Sequence, residues 1–461
     1  MKPQHLKEAL DVKIVIAGGG KVGETLCREL SLENNDVVLI EKKQWRLERV
    51  ISKTDITGLA GNAASYETQV EADVGACDIF IAVTPEDEIN IIAAIIAKKL
   101  GATYTIARVR NPEYANHMGF MREGLGITMM INPELEAAKD IAKVIRYPEA
   151  LSVEQFANGR VNIVEINVSE NSQLAHTYLS EFRHKFDNVN FCAISRDDFV
   201  FIPSGDTKIE ENDHIFVTGG KKDLTKLYRK CGLEQRKLRS ALIVGGGRVA
   251  HYLIDMLSEM RMEIKVIESN HRAAKELSYQ YPRVVVIEGD GTDQEFLKEE
   301  RIELYDTAIS LTGVDEENIL ISLYALNQGA KKVITKVSRT DLLKLLDNAG
   351  LQSIITPKRL IANEIIRFVR SLNSDDGSNV EALFRIADNQ VEAIQFRVPE
   401  NSRVTHQCIQ DLNMKNNLLI AYIVRNNELI FPSGKDRIES GDQVIITTTI
   451  KSLENVEDIL V

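Results

Sequence analysis

The sequence predicts an α/β protein written twice: two doubly wound parallel sheets in tandem, each followed by a small α+β module. Three observations carry this. First, Gly18-Gly19-Gly20-Lys21-Val22-Gly23 returns as Gly245-Gly246-Gly247-Arg248-Val249-Ala250, 227 positions on. Glu41 returns as Glu268, Gly61-Asn62-Ala63 as Gly289-Asp290-Gly291, and Asp87-Glu88-Ile89-Asn90 as Asp315-Glu316-Glu317-Asn318. Second, apolar runs of strand length alternate with helical stretches in both halves, the pattern of a parallel sheet covered by helices. Third, each half then changes to short strands with turn signals, and this part is duplicated too: Phe201-Ile202-Pro203-Ser204-Gly205 becomes Phe431-Pro432-Ser433-Gly434.

Taken in order, 12–18 is a continuous apolar run ending in glycine, as a strand buried on both faces should be. A helix follows over 21–32, then a strand at 37–41, a helix at 44–51 and a short strand at 56–60. The alternation continues with strands at 79–84 and 104–109, a helix at 88–100 between them, and a last apolar run at 127–131. The second half repeats the strands at 241–245, 263–268, 284–287, 307–312 and 332–337. Both halves then add a helix after a proline, 134–146 after Pro133 and 358–371 after Pro357. Residues 161–220 and 391–450 read as strand, helix, strand, strand, strand, with the Pro-Ser-Gly turns punctuating a hairpin. The polar stretch 371–379 is the linker candidate. The boundaries that follow are 11–133 and 238–357 for the sheet lobes and 151–232 and 380–461 for the small modules. Between lobe and module lie 134–150, a connecting helix, and 358–379, a connecting helix with linker.

Composition narrows the function. A chain of 461 residues, 44% hydrophobic and 27% charged, has the length and core of several globular domains. A net charge of −12 argues against sequence-independent nucleic-acid binding, which needs clustered Lys and Arg. Cysteines 27, 77, 192, 231 and 408 show no paired or metal-binding spacing, and no leader precedes the first strand, so a reduced cytoplasmic protein is expected. The longest apolar stretches, such as 91–97, fall well short of the ~20 residues a membrane span needs.

The glycine-rich turn stands directly after an apolar strand, opens a helix, and has an acidic residue at the end of the next strand. Together these are the fingerprint of a Rossmann-like dinucleotide site. Gly18 permits the turn, Gly20 lets backbone approach a pyrophosphate, and Gly23 lets helix pack on sheet. The helix start, Lys21 and Val22 included, offers free N–H groups to phosphate. Glu41 can accept from both ribose hydroxyls and repels a 2′-phosphate, so NAD(H) or an adenine nucleotide fits better than NADP(H). Gly245, Gly246, Gly247, Arg248, Val249 and Glu268 repeat the set, with Ala250 in the third glycine's place. Thr84 and Pro85 lie at the carboxyl end of the fourth strand, where such sheets bind ligands, as does Thr312 in the second half. Arg108 is in register with Lys336; a cation there either reaches phosphate or is a solvated strand-end charge. Asn62 against Asp290 differs by a full charge, so the two sites are expected to prefer different ligands or charge states. The histidines do not recur in register, His117 reads as structural or surface, and no Walker loop, triad or metal spacing is present. Two fixed binding sites without a repeated acid or base suit a sensor better than a catalyst.

The GGGKVG-type turn, the strand-end Glu, "GNA/GDG", "TPEDEIN" and "IARVRNPEY", followed by the small module and then repeated, resemble the TrkA family. These are peripheral regulatory subunits of bacterial Trk potassium-uptake systems, built from tandem RCK units (regulators of potassium conductance). The resemblance runs from about Val12 to about Leu453. It implies a cytoplasmic homo-oligomer, dimer or tetramer, forming a gating ring on the inner membrane face beneath a Trk-type potassium-transporting subunit. It also implies NAD(H) and/or ATP/ADP as regulatory ligands, held at the positions just named, and no catalytic residue. Two positions depart from the family pattern: Asn62 interrupts a Gly-Asp pair and Lys336 replaces an arginine. The readings weighed against it are an NAD-dependent oxidoreductase and a nucleotide or redox sensor with a non-membrane partner. The helices after Pro133 and Pro357 carry Leu135, Ala138, Ile141, Ala142, Ile145 and Leu360, Ile361, Ile365, Ile366, Val369. These should pack either on their own sheets or across a subunit boundary.

Overall fold

The computed structural model describes residues 12–461 apart from 34, 116–117, 170–171, 186–187, 198, 231–236, 340–341, 352, 371–378, 388 and 452. His117, Cys231 and nearly all of the linker candidate lie outside the described residues. The first sheet lobe runs β1 Lys13–Ala17, α1 Lys21–Ser31, β2 Asp36–Glu41, α2 Gln44–Ile51, β3 Thr57–Ala60 and α3 Tyr66–Glu71. It continues with β4 Ile79–Ala82, α4 Asp87–Leu100, β5 Tyr104–Arg108, the short α5 Pro112–Ala115 and α6 Met118–Leu125, then β6 Met129–Ile131. Helix α7, Pro133–Arg146, leads to the first small module: β7 Val153–Phe156, β8 Val161–Asn167, α8 Leu179–Lys185, β9 Val189–Arg196, β10 Phe199–Phe201, β11 His214–Gly219 and α9 Lys221–Lys230.

The second half repeats the lobe as β12 Ser240–Val244, α10 Arg248–Glu259, β13 Glu263–Glu268, α11 His271–Gln280, β14 Val285–Glu288 and α12 Gln294–Glu299. There follow β15 Thr307–Ser310, α13 Asp315–Asn327, β16 Lys332–Lys336, α14 Leu343–Asn348, β17 Ile354–Ile355 and the connecting helix α15 Pro357–Arg370. The last module is β18 Val380–Ile386, β19 Val391–Arg397, β20 Leu418–Arg425, β21 Glu428–Ile430 and β22 Gln443–Thr448.

Both large sheets are parallel, with strand orders β3-β2-β1-β4-β5-β6 and β14-β13-β12-β15-β16-β17. The order reverses beside β1 and β12, which places a ligand crevice at their carboxyl ends. Central strands such as Lys13–Ala17 are β-branched and buried on both faces, as a doubly covered sheet demands.

The small modules depart from the expected four-stranded reading. Each is a five-stranded antiparallel sheet, because β7 and β18 precede the predicted starts and pair with β8 and β19. In place of α8 the second module has a 3₁₀ turn, Ile409–Asp411, and in place of α9 another, Val456–Ile459. The Pro-Ser-Gly segments do not turn a hairpin. They lie beyond β10 and β21, on the way to β11 and β22, which insert into the middle of each sheet. The second module's hairpin turns instead at Asn426-Asn427, both at positive φ, which asparagine tolerates well.

The connecting helices settle the arrangement, in neither of the two ways anticipated. Each crosses to the other repeat of the same chain. Ala137, Ala138, Ile141, Ala142 and Ile145 of α7 are buried in the core of the second lobe, with Leu253, Leu257 and Ile309. Ile361, Ile365, Ile366 and Val369 of α15 are buried in the first lobe's core with Ile14, Leu26 and Leu30, and that core continues into the second module through Leu383 and Phe396. Leu135 and Leu360 pack at the margin of the second lobe's core. Asn132 caps α7 by accepting from Glu134 N at 3.1 Å and Leu135 N at 3.0 Å, and Pro133 stands where a missing N–H does no harm. Arg385 of β18 adds an ion pair to Glu29 of α1 at 3.1 Å and another to Glu33. The two modules stack sheet on sheet, with Phe156, Ile163 and Phe216 against Val391, Tyr422 and Ile445.

Two outcomes follow. Ile365→Ala removes a fully buried side chain from a core shared by both repeats, so chemical denaturation should show a loss of about 2–5 kcal/mol; a change under about 0.5 kcal/mol would contradict the crossing. Glu364 of α15 faces Glu136 of α7, and burial, then that neighbour, raises its carboxyl from 4.5 to about 7. A carboxyl raised on folding contributes stability below pH 4.5 that is lost as pH climbs through about 7. Glu364→Gln should therefore flatten the decline in Tm across that window.

Candidate nucleotide sites

The turn after β1 has the shape a phosphate needs. Gly18 sits at φ +109°, and a Cβ there would meet Thr84 N at 2.9 Å. Gly23 is pressed against the turn, since a Cβ would lie 1.9 Å from Gly18 O. A Cβ on Gly20 would meet nothing, so the space above it is open. Gly20 and Gly247 are the N-caps of α1 and α10 and supply no capping side chain, which leaves first-turn N–H groups for a ligand. Gly245 repeats the strained turn at φ +103°, and Val22 and Val249 are buried beneath the two helix starts. Lys21 and Arg248 are exposed at those starts.

The acidic residues are held identically. Glu41 accepts from Gly19 N at 2.7 Å and Lys43 N at 2.9 Å; Glu268 accepts from Gly246 N at 2.7 Å and Asn270 N at 2.8 Å. Each carboxylate is thus aimed across the turn, with lone pairs left for two hydroxyls. Asn62 and Asp290 make equivalent turns after the third strands, Asn62 accepting from Ala64 N at 3.2 Å and Asp290 from Thr292 N at 2.8 Å. The Thr292 hydroxyl and amide hold the Asp290 carboxyl below its ordinary range, so the charge difference between the copies persists at neutral pH.

At the fourth strands, Thr84 N donates to Asn90 Oδ1 at 2.7 Å and Thr312 N to Asn318 Oδ1 at 2.7 Å. The same buried amides donate to Arg108 O at 2.9 Å and Lys336 O at 3.0 Å, locking fourth and fifth strand ends together. Asp87 and Asp315 do the same for the loop beyond, Asp87 accepting from Arg110 N and Asn111 N at 2.8 Å each, Asp315 from Ser338 N at 2.9 Å and Arg339 N at 3.0 Å. These four residues were given no role from sequence, although their recurrence as Asp-Glu-x-Asn was the available signal. Arg46, 3.7 Å from Glu41, was also missed and has no second-copy counterpart, since Ala273 stands there.

Arg108 and Lys336 are largely buried strand-end cations. Arg108 Nη2 donates to Thr84 O and Lys336 Nζ to Leu311 O at 3.1 Å. Burial, then Arg110, pushes the Arg108 guanidinium down to about 10, and burial lowers Lys336. Arg108 Nε is buried without a hydrogen-bond partner, a donor placed to receive an acceptor from a ligand. Pro85 O accepts from the Arg110 guanidinium. Arg248 acts electrostatically on Arg108, and Lys21 on Lys336, so the two crevices face one another. Tyr252 of α10 joins them: it accepts from Asn132 Nδ2 at 2.8 Å and donates to Arg110 O at 3.1 Å.

Residues 14–133 and 241–357 match the TrkA-N domain model, and 163–232 and 393–461 the TrkA-C domain model. The chain belongs to the TrkA family. It is similar to the Trk system potassium uptake protein TrkA homolog of Archaeoglobus fulgidus, 33% identical over 97% of this chain and 100% of that one. It is also similar to Trk system potassium uptake protein TrkA of Halomonas elongata, 33% identical over 94% of this chain and 95% of that one. In fold, this TrkA family member resembles a GsuK channel bound to NAD (17% identity, TM-score 0.62, 97% of this chain and 78% of that one). GsuK bound to ADP shares the fold more loosely (14% identity, TM-score 0.51, 78% of this chain and 69% of that one).

Gly18 and Gly20 of the first turn should separate in experiment. Gly18→Ala forces a side chain into the left-handed region against Thr84 and should lower stability by about 1–3 kcal/mol. Gly20→Ala should melt within about 1 kcal/mol of the parent yet weaken nucleotide binding at least about tenfold, or 1.4 kcal/mol, by filling the open crevice. Equal binding by Gly20→Ala and the parent would remove the phosphate from this turn.

Proposed function

We propose that this chain is the nucleotide-sensing regulatory subunit of a Trk-type potassium-uptake system, binding NAD(H) and/or ATP/ADP in two facing crevices. The observation that carries the reading is the duplicated, pre-shaped turn with its aimed carboxylate, Glu41 and Glu268, in a chain that matches this family over nearly all of its own length. Relatives named for potassium uptake and a channel relative bound to NAD support the transporter partner and the ligand class.

The protein acts at the cytoplasmic face through its partner; no helix among the described residues is long and apolar enough to cross a membrane. It assembles as a homo-oligomeric ring, dimer or tetramer. Helices α4 and α13 support this, because apolar side chains such as Ile92 and Leu320 stay exposed on their outer faces. Ligand shifts the ring between states only by its difference in affinity for them. Thr84 and Arg108 transmit that difference, since Asn90 ties both strand ends to α4.

The two sites take differently charged ligands. Lys358 at the start of α15 lies near Lys21, where its counterpart at the start of α7 is Glu134, and Asn62 is neutral where Asp290 is charged. The first site is therefore the more cationic and favours the more highly phosphorylated ligand.

Calorimetric titration with NAD+, NADH, ATP, ADP and NADPH, repeated on Glu41→Ala and Glu268→Ala, tests this. Two binding events should appear, each weakened about tenfold or more by one substitution, with NADPH the poorest ligand. Absence of any nucleotide binding would defeat the sensing role.

A further inference from the structure

Away from the nucleotide crevices, a cleft of about 870 Å³ opens where the two repeats meet. Asp140 of α7, Glu154, Glu165 and His214 of the first module, Arg359 of α15 and Arg385 of β18 line it. Such a volume holds a ligand of metabolite size.

Most of its charges are committed within the protein. Arg385 is paired to Glu29 and Glu33, Asp140 to Lys143 at 2.8 Å, and Arg359 donates to Asn389 Oδ1 at 2.9 Å. Glu165 accepts from Ser152 Oγ at 2.7 Å and pairs with His214 Nδ1 at 2.8 Å. Glu154 of β7 differs: it lines the cleft with neither a side-chain hydrogen bond nor an ion pair to any described residue.

We propose that this cleft binds a small organic cation, an amine or guanidinium compound, whose charge is taken by Glu154 with Asp140 and Glu165 beside it. An anion is disfavoured, because Asp197 adds a fourth carboxylate to the wall and one of the two guanidiniums is already neutralised. A metal ion is a poor fit, since no three His, Cys, Asp or Glu among the described residues converge on one point. The carboxylates are instead spaced along the wall, each with its own neighbours, which suits an extended cation.

Charge balance supports the choice. Asp140 and Lys143 face Glu154 from α7, Glu165 from β8 and Arg359 from α15; His214 stands behind Glu165 on β11. Burial, then Asp140, pushes the Glu154 carboxyl up to about 8, so at neutral pH it is a neutral acid. A bound cation supplies the missing positive charge and expels the proton. The walls come from both repeats, so a bound cation touches the first module and α15 together.

The test is calorimetric titration of the full-length protein with 1,4-diaminobutane at pH 7, in two buffers of different ionisation enthalpy. Binding in the millimolar range or tighter is expected, with release of about one proton per ligand. Glu154→Gln, which mimics the protonated acid, should melt as cooperatively as the parent and bind the diamine at least about tenfold more weakly. No diamine binding at millimolar concentration, undiminished binding by Glu154→Gln, or binding without proton release would each overturn the proposal. None of these outcomes bears on the nucleotide crevices, which share no residue with the cleft.

Discussion

Each connecting helix carries an apolar face that its own repeat leaves uncovered, and the arrangement of everything else depends on where that face is buried. Helix α7 gives its alanines and isoleucines to the second lobe, and α15 gives its isoleucines to the first. A fully buried isoleucine is worth about 1.5–3 kcal/mol relative to exposure, so several on each helix make the exchange a dominant local term. Neither lobe has a complete core without the other repeat's helix. The two halves therefore behave as an interlocked pair, in which rotating one lobe drags the helix that the other lobe holds.

The exchange also fixes the facing of the crevices. Helix α7 starts beside α10, because Asn132, which caps α7, donates to Tyr252 on α10. Tyr252 in turn donates to Arg110 O, and Arg110 is clamped by Asp87 at the start of α4. A chain of direct contacts thus runs from the helix that opens the second crevice to the loop that closes the first. Such a chain transmits a change only if its members move together, and here each link is a hydrogen bond of 2.8–3.1 Å between elements with buried anchors.

Much of this was legible in the sequence. The parallel strands declare themselves as short apolar runs, and the turn residues carry their own mechanism: Gly18 must reach positive φ and Gly23 must let the turn touch the helix. The crossing of α7 and α15 was not legible, because periodicity shows that a face is apolar without saying which surface covers it. The hairpin was misplaced for a related reason. Pro-Ser-Gly is a strong turn signal, but the turn it makes lies on a crossing connection, while Asn426-Asn427 turns the hairpin through asparagine's tolerance of positive φ. Asn90 and Asn318 recur in register, yet only the structure shows that each amide binds two strand ends. The cleft around Glu154 is assembled from residues more than 200 positions apart, such as Glu154 and Arg385, and no local pattern announces it.

Fusion of the repeats explains what duplication alone would not. Two separate copies of one repeat would carry every substitution in both crevices. Within one chain the crevices are free to differ, and they do: Asn62 against Asp290, Glu134 against Lys358, Arg46 against Ala273, Tyr252 against Thr25. Three of these change the charge around the crevices, and the fourth makes the contact between crevices one-directional, since Thr25 donates to its own helix at Lys21 O. Meanwhile the parts that shape the turn and aim the carboxylate stay the same in both copies. One chain thus holds the same turn geometry twice under different electrostatics, a difference that two copies of a single repeat could not carry.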